Sequence, residues 1–135
     1  MRYDVVIIGA GAAGFGCALT LGSANDKFDW AKDKKYLILD DNKSDLNVGK
    51  YFNVAGVDSG INGVDLLLKM KKQLEIYKDV ELKDEKATKI ENLGEYFKIT
   101  TENSTFEASI IVLATGLHKF DIECQGVNVK DNIFV

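Results

Sequence analysis

The fold is decided by residues 3–16, which read Tyr-Asp-Val-Val-Ile-Ile-Gly-Ala-Gly-Ala-Ala-Gly-Phe-Gly. A short apolar run ends at residue 8, glycines follow at positions 9, 11 and 14, and a helix is expected from about residue 12 to residue 21, before a polar stretch that begins at Gly22. A strand, a glycine turn and a helix in this order make up the unit that holds the diphosphate of a dinucleotide. Gly9 permits a tight turn, Gly11 lets the backbone approach the phosphates, and Gly14 lets the helix pack closely on the strand.

The start of this helix is therefore predicted to be an anion site. The free backbone amides and the positive end of the helix dipole would both face a phosphate there. The alternative is a glycine-rich turn that binds nothing. We consider it the weaker reading, because three glycines at this spacing cost backbone entropy if they serve no purpose.

A second apolar run, residues 36–39, predicts a neighbouring parallel strand that ends at two aspartates. In a dinucleotide fold, the acidic residue at this point accepts hydrogen bonds from the adenosine ribose. Asp40 is the first candidate and Asp41 the second. Gly14 and Asp40 are 40 − 14 = 26 positions apart, against about 20 in the usual motif, so we expect extra loop within residues 23–35. The alternative is that these aspartates belong to an ordinary turn, because Asp and Asn are common turn residues.

Further along the chain, the sequence predicts one more helix and two more parallel strands. Residues 63–77 carry an apolar stripe at helical spacing, and Asn62 is suited to cap that helix. Residues 80–83 predict a short strand, and the apolar run at 110–113 predicts a buried one. Residues 46–61 match no element, and long irregular loops of this kind are often functional.

Between those two strands lie three segments that alternate with a period of two residues, at 87–92, 96–101 and 105–108. The turns that join them are too short for parallel pairing, so the three segments must pair antiparallel. The fold expected for the whole chain is α/β: a doubly wound (Rossmann-like) parallel sheet with an inserted three-stranded antiparallel β-meander.

Composition narrows the classes of function. A chain of 135 residues has the length of one domain, and 17 basic against 21 acidic residues give a net charge of −4. An acidic net charge gives no sign of the basic surface that nucleic-acid binding needs. The apolar runs are also too short to predict a membrane span. Cys17 and Cys124 form neither a CxxC pair nor a metal-ligand spacing. A reducing cytoplasmic location is the default expectation.

Four motifs in their order resemble the FAD-binding domain of the thioredoxin reductase branch of the pyridine nucleotide–disulfide oxidoreductases. They are the glycine motif; Leu-Ile-Leu-Asp40; Asn53-Val-Ala-Gly56 with Gly-Ile-Asn-Gly-Val-Asp-Leu-Leu at residues 60–67; and Val112-Leu-Ala-Thr115-Gly116. The resemblance covers about residues 1–118 and implies FAD as the cofactor. It implies a single FAD-binding domain over residues 1–135, in which the tail at residues 119–135 is the uncertain part.

The resemblance also implies a role for each residue of the site. Asp40 or Asp41 would bind the adenosine ribose. The residues that would hold the diphosphate are Gly9, Gly11, Ala12, Ala13 and Gly14.

The remaining implied contacts are with the other parts of FAD. Ala87 would offer backbone hydrogen bonds to adenine, and Asn53 would lie on the flavin side. Ala114, Thr115 and Gly116 would close over the phosphate and ribose region. As alternatives, Asn53 caps its own loop and residues 114–116 form an ordinary turn at a strand end.

The sequence departs from that family in several places. The family has a second Rossmann domain for NADPH and, in this branch, a redox-active CxxC, and these 135 residues contain neither. The loop that carries paired glycines against the flavin reads Leu46-Asn-Val-Gly49-Lys here, and Ala55-Gly-Val-Asp58 replaces the proline turn. The family also closes its flavin site with a late Gly-Asp segment, whose aspartate serves the ribityl chain. Residues 131–135 resemble only the strand before that segment.

Two functions are therefore open. One is a FAD-binding flavoprotein of oxidoreductase type that takes electrons from NAD(P)H or from a redox partner protein. The other is a non-catalytic adenine-dinucleotide-binding module, or a remnant that acts as a subunit. Because the missing segments would leave apolar surface in need of cover, a homodimer is expected in either case.

Overall fold

The computed structural model describes residues 2–117 and 123–126, and most of its strands join one sheet. The strands are β1 (Arg2–Ile8), β2 (Tyr36–Asp40), β3 (Lys50–Tyr51), β4 (Ile61–Asn62), β5 (Val80–Asp84), β6 (Ala87–Asn92), β7 (Phe97–Thr101), β8 (Thr105–Leu113) and β9 (Glu123–Gln125). The helices are α1 (Ala12–Asn25), a 3-10 helix (Asp45–Val48) and α2 (Gly63–Leu74). The strand-like residues 131–135 lie outside the described residues. Neither α-helix in the described part of the chain has the length and apolarity needed to cross a membrane.

The main sheet has seven strands in the order β5-β2-β1-β8-β7-β6-β9. Strands β5, β2, β1 and β8 run parallel, and β1 lies at the centre because Val5 pairs with Tyr36 on one side and Ile110 on the other. Helices α1 and α2 make the crossovers between these strands. The continuous apolar runs in the sequence are explained by this arrangement, since the central strands are covered on both faces.

Alternate side chains of β1 and β2 point to two different layers. Val5 and Ile7 pack on the helix side with Phe15 of α1 and Leu74 of α2. On the opposite side, Val6, Ile8, Leu37 and Leu39 pack with residues of β6 and β7. The predicted α/β sheet with an antiparallel meander is thus confirmed, and here the meander covers the second face of the parallel sheet.

Strand β8 corrects one detail of the prediction. The sequence suggested two separate strands, at residues 105–108 and 110–113, but the structure has one strand of nine residues. Its first half pairs antiparallel with β7, and residues from Glu107 to Leu113 pair parallel with β1. Ser109 interrupts the apolar pattern without ending the strand, because the pairing with β1 continues across it from Ala108 to Ile110. Its exposed Oγ accepts a hydrogen bond from Arg2 Nε at 3.0 Å.

The helix boundaries also differ from the predicted ones. Helix α1 continues to Asn25 rather than residue 21, through Gly22. A Cβ at Gly22 would lie 2.8 Å from Cγ of Tyr77, so this glycine makes room for a packed ring instead of ending the helix. Helix α2 ends at Leu74 rather than residue 77. Its predicted N-cap is confirmed, since Asn62 Oδ1 accepts a hydrogen bond from the Asp65 N–H at 2.9 Å.

Residues 46–61, which matched no element, hold most of the 3-10 helix and the short antiparallel pair β3–β4. Hydrogen bonds tie this segment to the main body, since the Gly63 N–H donates to the Gly49 carbonyl at 2.9 Å. The backbone is so close that a Cβ at Gly63 would lie 1.4 Å from the Leu46 carbonyl oxygen. This close approach places the 3-10 helix against the start of α2.

At the amino end of the sheet, Asp4 joins β1 to the segment before β2. It accepts hydrogen bonds from Lys34 Nζ at 2.7 Å and from the Lys35 N–H at 2.9 Å. Burial alone would raise the pKa of Asp4, but these hydrogen bonds outweigh burial and hold the pKa below its ordinary value of 3.8. The ionised carboxylate therefore stabilises the folded chain at neutral pH.

The replacement Asp4→Asn is expected to lower the free energy of unfolding at pH 7 and to lose this effect in acid. A depressed folded-state pKa gives stability that is present above the unfolded pKa and disappears as pH falls through the folded pKa. Denaturant unfolding of both proteins from pH 7 down past 3.8 should show the difference shrinking. A difference that stays constant with pH would contradict this role for Asp4.

Candidate dinucleotide site

Two glycines of the opening motif are required by the fold itself. Gly9 has a φ of +103°, and a Cβ there would lie 2.2 Å from the Ala114 carbonyl oxygen. A Cβ at Gly14 would lie 1.8 Å from the Gly9 carbonyl oxygen, because α1 starts directly against the end of β1. Neither position has room for a side chain, whatever the crevice binds.

Gly11 is different, because packing within the protein does not require a glycine there. Its φ of −77° suits any residue, and the nearest atom to a Cβ at this position is Ser44 Oγ at 3.4 Å. Gly11 is the N-cap of α1, with no side-chain cap and no acidic residue in the first turn. The exposed Ala12 and Ala13 follow it. The first N–H groups of α1 are thus left to an external acceptor, and a phosphate meets that need.

Asp40 lies directly beside this turn. Its Oδ1 accepts a hydrogen bond from the Ala10 N–H at 2.8 Å, and its Oδ2 accepts one from the Asn42 N–H at 3.1 Å. Each carboxylate oxygen can accept a further hydrogen bond, so a ribose hydroxyl can still be bound. Asp41 instead accepts a hydrogen bond from the Lys43 N–H at 3.1 Å within its own turn. Of the two aspartates, Asp40 is therefore the one whose carboxylate bonds to the glycine turn.

The carboxyl ends of β2, β1 and β8 meet at this turn. The Gly9 N–H donates to the Leu39 carbonyl and the Ala114 N–H donates to the Ile8 carbonyl, both at 2.8 Å. Thr115 and Gly116 follow Ala114 directly. The chain leaves β1 toward β2 while β8 lies on the other side, so the strand order reverses at this turn, which is where a doubly wound sheet has its crevice. Open α/β sheets bind their ligands at such a crevice.

The last two candidates are placed by other elements. Ala87 is 4% exposed and belongs to the same cluster as Ile8 and Leu39, so the meander holds it against the parallel strands that lead into the site. Asn53 is exposed in the loop between β3 and β4 and makes no hydrogen bond to the glycine turn. Among the described residues its side chain also has no hydrogen-bond partner.

Two residues near the crevice were not identified from the sequence. Ser44 Oγ lies 3.4 Å from the Cβ position of Gly11, and Asp45 Oδ2 lies 3.5 Å from that of Gly116. The segment of residues 44–49, here called the crossing segment, therefore reaches both sides of the crevice. For Ser44 and Asp45 themselves, the only signal in the sequence is a serine followed by an aspartate, which suits the start of a helical turn.

Together these features define a dinucleotide-binding α/β domain. A glycine turn, a helix N-terminus and an acidic strand end are grouped at the edge of a parallel sheet where the strand order reverses. That combination identifies the class of protein but not the dinucleotide.

Comparison with known proteins identifies the family. The profile of the pyridine nucleotide-disulphide oxidoreductase family matches residues 3–135, and the chain belongs to this family. Over 114 residues it is 31% identical to a thioredoxin reductase of Treponema pallidum, covering 84% of this chain and 35% of that protein. The chain thus spans about a third of the length of this relative.

Solved structures agree with that assignment. A thioredoxin reductase from Gloeobacter violaceus superposes with a TM-score of 0.74 at 29% identity, over 85% of this chain and 37% of that one. Lactococcus lactis thioredoxin reductase superposes with a TM-score of 0.73 at 33% identity, over 92% of this chain and 39% of that one. Thioredoxin reductases of this family are FAD-binding flavoproteins, so family membership indicates FAD as the cofactor.

Proposed function

We propose that residues 1–135 form a FAD-binding domain whose diphosphate site is the N-terminus of α1. The observation that carries this proposal is Gly11, the one glycine of the motif that packing within the protein leaves unexplained. The N–H groups after it have no side-chain cap, and a diphosphate would accept their hydrogen bonds. The residues proposed to hold it are Gly9, Gly11, Ala12, Ala13 and Gly14.

The rest of FAD would extend to both sides of this point. Asp40 would accept hydrogen bonds from the adenosine ribose, and the backbone of Ala87 would contact adenine. Residues 114–116, beside Gly9 at the end of β8, would close over the phosphate and ribose region. Asn53 would lie on the flavin side.

The proposed chemistry is that of an oxidoreductase. FAD, when bound, supplies the capacity to accept and return two electrons, and the protein holds and orients it. These 135 residues contain one glycine motif and no CxxC pair. The electron donor that we propose is NAD(P)H or a redox partner protein.

We further propose that two copies of the chain associate and that they work in the cytoplasm. Support for association comes from large apolar side chains left exposed on and just after α2, where Leu68 is 58% and Ile76 is 71% exposed. Exposed apolar surface of this kind is typical of interaction sites. Two cysteines in 135 residues do not make a disulfide-dense chain, which fits a reducing compartment.

The visible absorption spectrum of the purified protein tests the proposal. Protein purified with FAD, or reconstituted with it, should be yellow and should bleach when NADPH or NADH is added without oxygen. Protein that refuses FAD but binds ADP would favour the non-catalytic adenine-dinucleotide module. Protein that binds neither would overturn the proposed site.

The replacement Asp40→Ala is expected to weaken FAD binding by about 1–3 kcal/mol, because it removes charge-assisted hydrogen bonds to the ribose. It also removes the acceptor of the Ala10 N–H, which fixes the glycine turn beside β2. Titration calorimetry of Asp40→Ala and Asp41→Ala compares the two candidates. An unchanged affinity for Asp40→Ala with a loss for Asp41→Ala would move the ribose contact to Asp41.

A further inference from the structure

The connection between β5 and β6 lies beside the adenosine end of the crevice. Asp84, the last residue of β5, pairs with Asp40 of β2, whose carboxylate is the proposed ribose acceptor. Glu85 follows Asp84 directly, and only residues 85–86 separate β5 from Ala87, the first residue of β6. The conformation of this short connection therefore decides how the backbone of Ala87 is presented to an adenine ring.

The carboxylate of Glu85 ties this connection to the turn between β7 and β8. Its Oε2 accepts a hydrogen bond from Thr101 Oγ1 at 2.5 Å, and its Oε1 accepts one from Ser104 Oγ at 3.1 Å. Thr101 Oγ1 also lies 3.1 Å from the Ser104 carbonyl oxygen, but the carboxylate is the nearer and stronger acceptor. Both oxygens of Glu85 are thus bonded to one turn of the meander.

Thr101, which is 5% exposed, is also the residue that faces Ala87 across the sheet. The Thr101 N–H donates to the Ser104 carbonyl at 2.9 Å, so the backbone groups of Thr101 point toward the β8 side and not toward β6. The two facing residues therefore form a non-hydrogen-bonded pair of the antiparallel ladder, in which the N–H and C=O of Ala87 point away from β7. These two groups are not used in the pairing of β6 with β7.

The ladder alone gives Ala87 little support. The register between β6 and β7 shifts between Ala87 and Lys89, which marks a β-bulge at the start of β6. Such bulges disrupt the ladder and bend the strand. In the described part of the chain, β9 pairs with β6 only from Lys89 onward. The hydrogen bond from Thr101 to Glu85 thus gives the start of β6 a fixed point that the ladder does not provide.

We propose that Glu85 is a positioning residue, which fixes the backbone of Ala87 for adenine and so gives the site its preference for this base. The inference rests on the proposed function, because it requires an adenosine beside Asp40. A backbone N–H and C=O on one edge match adenine, which has an acceptor at N1 and a donor at its 6-amino group. Hypoxanthine has a donor at N1 and an acceptor at position 6, so it cannot make the same two hydrogen bonds.

Calorimetric titration of the FAD-free protein with ADP and with inosine diphosphate (IDP) tests this inference, since the two ligands differ only in the base. Wild type should bind ADP more tightly than IDP by about tenfold or more. In Glu85→Ala the affinity for ADP should fall about tenfold, while the affinity for IDP should stay the same. Glu85→Gln should lie between wild type and Glu85→Ala, because its amide oxygen still accepts from one hydroxyl.

Variants of the turn supply the controls. Thr101→Ser keeps the hydroxyl and should keep the preference for ADP, whereas Thr101→Val removes the hydroxyl and should reduce the preference as Glu85→Ala does. Glu102→Ala is the matched control, because it removes an exposed carboxylate from the same turn and changes the net charge equally. It should leave both affinities unchanged.

Each other result has a distinct meaning. An unchanged preference for ADP in Glu85→Ala overturns the inference, and so does an equal loss of affinity for ADP and IDP, which would indicate a structural role. Wild type that binds FAD but does not distinguish ADP from IDP would overturn this inference and leave the proposed function standing. Wild type that binds neither FAD nor ADP would overturn the proposed function and this inference with it. If Glu85→Ala does not fold, the ADP and IDP affinities of Glu85→Gln decide.

Discussion

The replacement Gly11→Val is expected to abolish dinucleotide binding while the sheet stays folded. The valine side chain would fill the space above the start of α1, where only Ser44 Oγ comes within 4 Å of the Cβ position. A phosphate at a helix N-terminus depends on several charge-assisted hydrogen bonds of about 1.5–3 kcal/mol each. Losing two of them raises the dissociation constant of FAD by more than about 100-fold.

The fold should tolerate this change well. The backbone at Gly11 has a φ of −77°, which valine adopts freely, and loss of a glycine N-cap costs about 1 kcal/mol or less. Gly16→Val is the matched control, because Gly16 lies in the same helix and nothing surrounds its Cβ position within 4 Å. Calorimetric titration with FAD, beside thermal unfolding of the free proteins, separates binding from stability. Retained binding in Gly11→Val would place the diphosphate elsewhere.

The sequence was sufficient to predict the parts of the fold that depend on local pattern. Continuous apolar runs correctly indicated β1, β2 and the parallel part of β8, and two-residue alternation indicated the meander. The N-cap Asn62 was predictable because capping involves only neighbours along the chain. The glycine motif likewise placed the turn at the end of β1, since its geometry is set within a few residues.

Features that depend on contacts between distant residues were not predictable. Gly22 looked like a helix terminator, and only the Tyr77 ring against it shows why α1 continues. Ser109 looked like a break in β8, and only the pairing of residues 107–113 with β1 shows why the strand runs on. Ser44 and Asp45 looked like ordinary loop residues, because the Leu46–Gly63 contact that folds the crossing segment toward the crevice joins two separate elements.

The glycine motif therefore combines two requirements that sequence alone does not separate. Gly9 and Gly14 are needed because the backbones of β1, α1 and β8 approach one another too closely for a side chain. Gly11 is needed only if something else occupies the space above it. Substitutions within this one motif should therefore have different effects. A side chain at Gly9 or Gly14 should lower the stability of the fold, and a side chain at Gly11 should lower the affinity for the ligand.

The replacement Gly9→Ala is expected to destabilise the protein whether or not a ligand is present. A φ of +103° costs a residue with a Cβ about 1–2 kcal/mol, and the 2.2 Å approach to the Ala114 carbonyl oxygen adds an overpacking cost of about 1–3 kcal/mol. The total of about 2–5 kcal/mol is a large part of the roughly 5–15 kcal/mol that stabilises a typical domain.

Denaturant unfolding of the protein without FAD measures this loss directly. Gly16→Ala provides the control, because an exposed glycine inside a helix should gain about 0.5–1 kcal/mol on replacement by alanine. Gly9→Ala should therefore unfold at lower denaturant than wild type, and Gly16→Ala at slightly higher denaturant. If Gly9→Ala unfolded within about 1 kcal/mol of wild type, β8 would have to move away from β1 at little cost. The ends of β1, β2 and β8 would then not be held rigidly together beneath the crevice.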